Sequence, residues 1–326
     1  MAAAIESPRH SPAPELRDLR RIGPSSLDAL LEEEVDVWRR ELRWDFLPSA
    51  DLVKRFVAMQ ALNGYALTRR SAAIGYCYYI VEEGKGLIGD LYVAAGARGE
   101  ENENLLLDAV LSAMMDNRAI RRIECQLMMT PSGPGRRFPF RQYLSRFERK
   151  FMMRGLDAAL PPGPGRHRVW FENWSARHQE SASQLIASSY TGHIDSRIND
   201  QYCSAAGARR FLYNIVQYPG CGAFFQPGSF SAFDSETGRM VGVSLTSKVA
   251  PDVGHITQLC VGNAVRGAGV GYELLRKSLA EFAAHGCAAA GLTVTSANLE
   301  AVRLYERSGF TVVRDFTACV WEGFRG

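Results

Sequence analysis

Arg266-Gly267-Ala268-Gly269-Val270-Gly271 is the stretch of this 326-residue sequence best suited to holding an anion. It follows an apolar run, Ile256 to Val261, that reads as a strand, and it opens an amphipathic pattern that predicts a helix to about His285. Glycines at a helix start let backbone N–H groups approach a pyrophosphate, and the helix dipole favours the negative charge. Three rival loop types have a similar composition. A dinucleotide-binding loop wants GxGxxG, and Tyr272 stands where the last glycine belongs. Gly262 to Gly267 has the spacing of GxxxxGK[ST], but Ala268 stands in place of the lysine. A turn that merely packs a helix close to a strand is the plainest of the three.

A second motif weighs against that plain turn. After one helix and one strand come Leu292-Thr-Val-Thr-Ser-Ala-Asn298 and Ala301-Val-Arg-Leu-Tyr305-Glu-Arg-Ser-Gly309-Phe310. With Arg266, Gly269 and Gly271 meeting [QR]xxGx[GA], and the later segment looking like NxxAxxLYxxxGF, residues 168–326 resemble the GNAT (GCN5-related N-acetyltransferase) superfamily. The resemblance implies a mixed, mostly antiparallel sheet flanked by helices, with a splayed strand pair that holds acyl-CoA. It implies that Leu259, Cys260 and Val261 hold the pantetheine arm and thioester carbonyl of acetyl-CoA, and that Arg266, Gly267, Ala268, Gly269, Val270 and Gly271 wrap its pyrophosphate. Asn298 then contacts the cofactor arm, and Tyr305 is the general acid for the departing thiolate. Each has an ordinary alternative: Asn298 as a helix N-cap, Tyr305 as a core aromatic.

Direct transfer needs a neutral amine and hence a proton acceptor. His255 stands where the arylalkylamine acetyltransferases carry a histidine on the same strand, whereas many family members carry a glutamate where Thr257 stands here; a packing role for His255 competes. Specificity in this family comes from two helices and the loop between them, here about residues 176–218. Within it, Tyr190 to Tyr202 concentrates polar and aromatic residues, and Asp195 and Asp200 could draw a cationic amine or simply cap a solvated loop. The resemblance implies an acyl-CoA-dependent N-acetyltransferase, with the primary amine of a small molecule as the expected acceptor. Alternatives are acetylation of a protein N-terminus or lysine, and a non-catalytic acyl-CoA-binding regulator.

The elements that must position these residues repeat. Leu91-Tyr-Val93 and Arg98-Gly99 match Leu259-Cys-Val261 and Arg266-Gly267 at a constant spacing of 168 residues, and a strand follows each predicted helix, Arg122 to Met128 and Ala288 to Thr295. A chain of this length suits two domains of roughly 150 residues. The expected division is a leader at 1–15, a degenerate GNAT-like domain at 16–154, a Pro/Gly linker at 155–167 and a catalytic domain at 168–326, two tandem α/β units in all. In the first unit Glu101 and Glu103 replace the loop glycines and would repel a pyrophosphate. Its LYxxxGF segment is missing. Between Gly135 and Arg154, seven basic residues are interleaved with aromatics, which predicts an amphipathic helix packing its aromatic face between domains or, less simply, a stretch that binds nucleic acid or an anionic partner.

The seven cysteines lack CxxC spacing, so no metal site is signalled, and they read as reduced, mostly buried thiols. A net charge of +3 gives no argument for nucleic acid or membrane. No apolar run is long enough to span a bilayer, and no signal peptide is seen, so a cytoplasmic location is expected. A homodimer is compatible with the sequence.

Overall fold

The computed structural model describes residues 13–133, 135–163, 168–218 and 220–325. Most of the leader lies outside them, as does the end of the linker. The first half runs β1 (Glu15–Asp18), α1 (Asp28–Leu42), α2 (Leu47–Ala58), β2 (Asn63–Arg69), β3 (Ala72–Glu82), β4 (Lys85–Val93), α3 (Glu100–Asp116), β5 (Arg122–Leu127) and β6 (Leu144–Gly155). The second runs β7 (Val169–Asn173), α4 (Gln179–Ser189), α5 (Ala205–Gln217), β8 (Ala223–Phe224), β9 (Phe230–Asp234), β10 (Met240–Ala250), β11 (Val253–Val261), α6 (Val270–Ala284), β12 (Ala289–Thr295), α7 (Leu299–Arg307) and β13 (Thr311–Glu322).

The two halves share one 13-stranded sheet in the order β1-β2-β3-β4-β5-β13-β6-β12-β11-β10-β9-β7, with β8 against β10. Only β4/β5 and β11/β12 are parallel. The chain crosses over at the centre: β13, from the end of the second half, pairs with β5, while β6, from the end of the first, pairs with β12. β6 and β13, each 12 residues long, pair with each other along almost their whole length. Each half therefore completes its sheet with the other's last strand.

This corrects the expectation of a helix within residues 135–154. Phe147 and Phe151, spaced by four, satisfy a helical face and a strand face equally, and the strand wins because it has two partners to pair with. Phe147, Arg149 and Phe151 share one face; Arg146 and Lys150 take the other, where they pair with Glu148 and Asp315.

Helices α1, α2, α4 and α5 cover one side of the sheet, and α3, α6 and α7 the other. The first side is continuous across the halves: Trp44, after α1, packs on Phe151 and His255, and Asp45 N–H donates to the Val249 carbonyl at 2.8 Å. The linker residues Leu156–Gly163 run along α6, where Tyr272 donates its hydroxyl proton to the Pro161 carbonyl at 2.8 Å.

Inside the first half, Glu34 is fully buried. Its carboxyl accepts from Tyr76 Oη at 2.9 Å and from Trp38 Nε1 at 3.2 Å, and Tyr76 Oη also lies 3.1 Å from Asp90. Burial raises both carboxyls, Glu34 well above the usual range, and the proximity of Asp90 raises Glu34 further, so the pair retains a proton. The folded state thus binds more protons than the unfolded one above the ordinary carboxylate range, and stability falls as pH rises towards the raised value, by at most about 1.4 kcal/mol per pH unit for one proton. Glu34→Gln should flatten that decline in urea unfolding followed between pH 5 and 9. Parallel curves for the variant and wild type would reject a shared proton.

Candidate acyl-CoA site

Leu245 of β10 faces Gln258 of β11, but its neighbour Thr246 faces Ile256, so Thr257 is an extra residue, a β-bulge. Up to that point β11 and β12 pair in parallel, Val253 with Ala289 through Ile256 with Leu292. Beyond it they diverge. From Thr257 to Val261, β11 keeps β10 on one side and has no strand on the other among the described residues. Unpaired backbone groups within a sheet interior accept an extended chain as an added strand. The gap presents the backbones of Leu259, Cys260 and Val261.

At the open end of the gap, Gly269 caps α6 with φ +91° and Gly267 has φ +75°, conformations that favour glycine. A side chain on either would meet open space, so geometry leaves the loop's N–H groups accessible. The first N–H groups of α6 have no acceptor within the helix. Gly271 sits tighter: a Cβ there would lie 3.3 Å from Val261 and 3.9 Å from Leu304. Arg266 turns away from the loop, donating to the Ser189 carbonyl at the end of α4 at 2.9 Å.

Behind the gap lies Tyr305 of α7, buried among Val294, Leu292 and Phe310. Burial raises its hydroxyl, which makes no hydrogen bond among the described residues and stays protonated at neutral pH. Asn298 caps α7 by accepting from Ala301 N–H at 3.3 Å, and its Nδ2 lies 3.3 Å from His193 Nε2. The cap and the site position coexist in one residue.

Residues 197–310 match the model of the acetyltransferase (GNAT) family. That stretch has the sequence character of a GNAT domain. Among solved structures, a GCN5-related N-acetyltransferase from Sphaerobacter thermophilus superposes with a TM-score of 0.70 at 15% identity over 96% of each chain. A tandem GNAT protein from the clavulanic acid biosynthesis pathway gives 0.54 at 14% identity, over 80% of this chain and 83% of that one. The glucosamine N-acetyltransferase region of a fungal multi-domain β-N-acetylglucosaminidase gives 0.61 at 14%, over 96% of this chain and 38% of that one. At such identities these likenesses concern the fold. No curated protein matches the chain.

Around the open gap, the tertiary structure redistributes the polar residues expected to face it. Asp200 is drawn out of the cleft by an ion pair with Lys85 of the first half. Asp195 stays, accepting from Thr295 Oγ1 beside His193. His255 is buried between Trp44 and Phe151 with Nδ1 unpartnered, and burial, helped by the Arg149 charge, lowers it to about 4. It is neutral but poorly placed to exchange a proton with solvent. Gln258 donates to Tyr190 Oη at 3.0 Å and lies 3.5 Å from Tyr202 Oη, forming the wall nearest α4 and α5. No group of His, Cys, Asp and Glu able to hold a metal occurs among the described residues. No described helix is long and apolar enough to cross a membrane.

The first half repeats the gap and fills it. Its bulge falls at Gly89, 168 residues before Thr257, and β4 leaves β5 after Ile88. Tyr78 lies flat on Gly89, so close that a Cβ would sit 2.2 Å from its ring. Leu91 N–H, the counterpart of Leu259 N–H, is already bonded to Asp90 Oδ1 at 2.8 Å. At the start of α3, buried Glu103 is ion-paired with Arg136. At all three positions the chain's own side chains thus meet the backbone groups that stay open in the second half.

Proposed function

We propose that the second half transfers an acetyl group from acetyl-CoA to the primary amine of a small molecule, and that the first half is non-catalytic. The observation carrying this reading is the bulge-driven divergence of β11 from β12 directly beside the open glycine loop. The pantetheine arm adds to β11 as a strand, and the loop N–H groups and the α6 dipole hold the pyrophosphate. The amine nitrogen attacks the thioester carbon; a β11 N–H beyond the bulge stabilises the oxyanion. The C–S bond then breaks, Tyr305 gives its proton to the leaving thiolate, and the new amide nitrogen loses its extra proton to a base. Asp195 attracts the ammonium form into the cleft. His193, with Asp195 beside it and Asn298 against it, is better placed than sealed His255 to accept the proton.

Tyr305→Phe should lower kcat by about 100-fold while leaving the acetyl-CoA Kd unchanged. In the same thiol-release assay, His193→Ala should cost more in kcat than His255→Ala. Unchanged turnover in the Tyr305 variant would remove its role as acid, and the opposite order of the histidines would return the base to His255. Binding of acetyl-CoA without transfer to any amine, small or on a protein, would favour a regulatory acyl-CoA binder.

A further inference from the structure

We infer that the acceptor carries an anionic carboxylate or phosphate group as well as its amine, and that Arg149, delivered to the second half's cleft by the exchanged strand β6, recognises it. The inference rests on the transferase reading above. Arg149 lies opposite Thr295 of β12 and opposite Phe316 of β13. Its face of the sheet is the acceptor face: Phe147 on one side of it packs with Ile198, and Phe151 on the other packs with His255.

The guanidinium has no carboxylate within ion-pair distance among the described residues. Its partners are neutral: Nη1 donates to Gln126 Oε1 at 2.9 Å and Nη2 to Thr293 Oγ1 at 3.3 Å, while the Phe316 ring lies 5.9 Å away. Nε is buried and bonded to nothing. A buried guanidinium N–H without an acceptor is costly, and a guanidinium presents N–H groups suited to a planar oxyanion. Other arginines packed around the sheet centre do have acids: Arg122 with Glu124, Arg136 with Glu103, Arg314 with Glu41.

The opposite charge stands near Thr295 as well. Asp195 is held by Thr295, the residue paired with Arg149, and both charges act on Tyr202 and Tyr305. An acceptor whose ammonium meets Asp195 and whose oxyanion meets Arg149 has its position fixed at both ends. A structural tie between β5 and β12 would need only the two neutral hydrogen bonds, which a neutral amide could also make. Among the described residues no carboxylate lies within ion-pair distance of the positive charge, which leaves it for a ligand to meet.

The test compares amines in matched sets: α-amino acids, their amides, the corresponding simple amines, and aminoalkyl phosphates, with acetyl-CoA binding followed separately by calorimetry. Wild type should prefer one anionic class by about 10- to 100-fold in kcat/KM over its uncharged counterpart, the range expected for a hydrogen bond to a charged group. Arg149→Gln should abolish that preference through KM, leave kcat and the uncharged amines nearly unchanged, and keep the same melting temperature; Arg149→Lys should recover part of it. Which class is preferred separates carboxylate from phosphate. Preference for uncharged amines, equal losses on both classes, or acetyl-CoA binding with no turnover of any anionic amine would overturn the inference. Absence of acetyl-CoA binding would instead overturn the transferase reading on which it rests.

Discussion

Gly269→Glu combined with Gly271→Glu should abolish acetyl-CoA binding in a calorimetric titration in which wild type is expected to bind one equivalent. Gly269 caps α6 at φ +91°, so any side chain there costs about 1–2 kcal/mol in backbone strain. At Gly271 the new Cβ meets Val261 at 3.3 Å. The larger effect is on the ligand. Two carboxylates would face a pyrophosphate at the helix end built to receive it, reversing the favourable potential and covering the N–H donors. The first half already contains this experiment, since Glu103 occupies the equivalent helix start and needs Arg136 as counter-ion. Binding that survives the double variant would place the cofactor elsewhere; no binding by wild type would remove the catalytic assignment altogether.

Residues 1–163 and 164–326, produced separately, should fail to fold, and the intact chain should unfold in a single transition. Each half alone would leave a central strand without its neighbour: β5 would lose β13, and β12 would lose β6. Trp321 of β13 is fully buried against the α3 core of the first half, with Nε1 donating to the Pro139 carbonyl at 3.0 Å. Truncating it to alanine should cost about 3–5 kcal/mol, a large share of the total stability of about 5–15 kcal/mol expected of a domain. Because β13 also pairs with β6, that loss should reach both halves together. Calorimetry of the intact variant and urea titration of the separate halves test this. A half that melts sharply on its own, or two resolved transitions in the whole chain, would show that the exchanged strands are dispensable.

The sequence by itself determined the parts of this protein that obey local rules. Gly267 and Gly269 signalled a helix start open to an anion, Asn298 signalled a cap, and the 168-residue repeat signalled two units of one design. Each of these depends on residues a few positions apart, or on similarity between segments, and is visible without knowing what lies across the molecule. Tertiary structure alone decided who pairs with whom. The pattern of Phe147, Arg149 and Phe151 fits a helix or a strand until two partner strands are present, and nothing local says that one of them comes from residues 311–322. The same holds for charge. Asp195 and Asp200 look alike in sequence, but Lys85 from the other half neutralises one and leaves the other at the cleft. Likewise, His255 is a plausible base until Trp44 and Phe151 seal it from solvent, and Arg149 is one basic residue among seven until strand exchange sets it opposite Thr295. Side-chain chemistry is written in the sequence; burial and counter-ions are properties of the assembled fold.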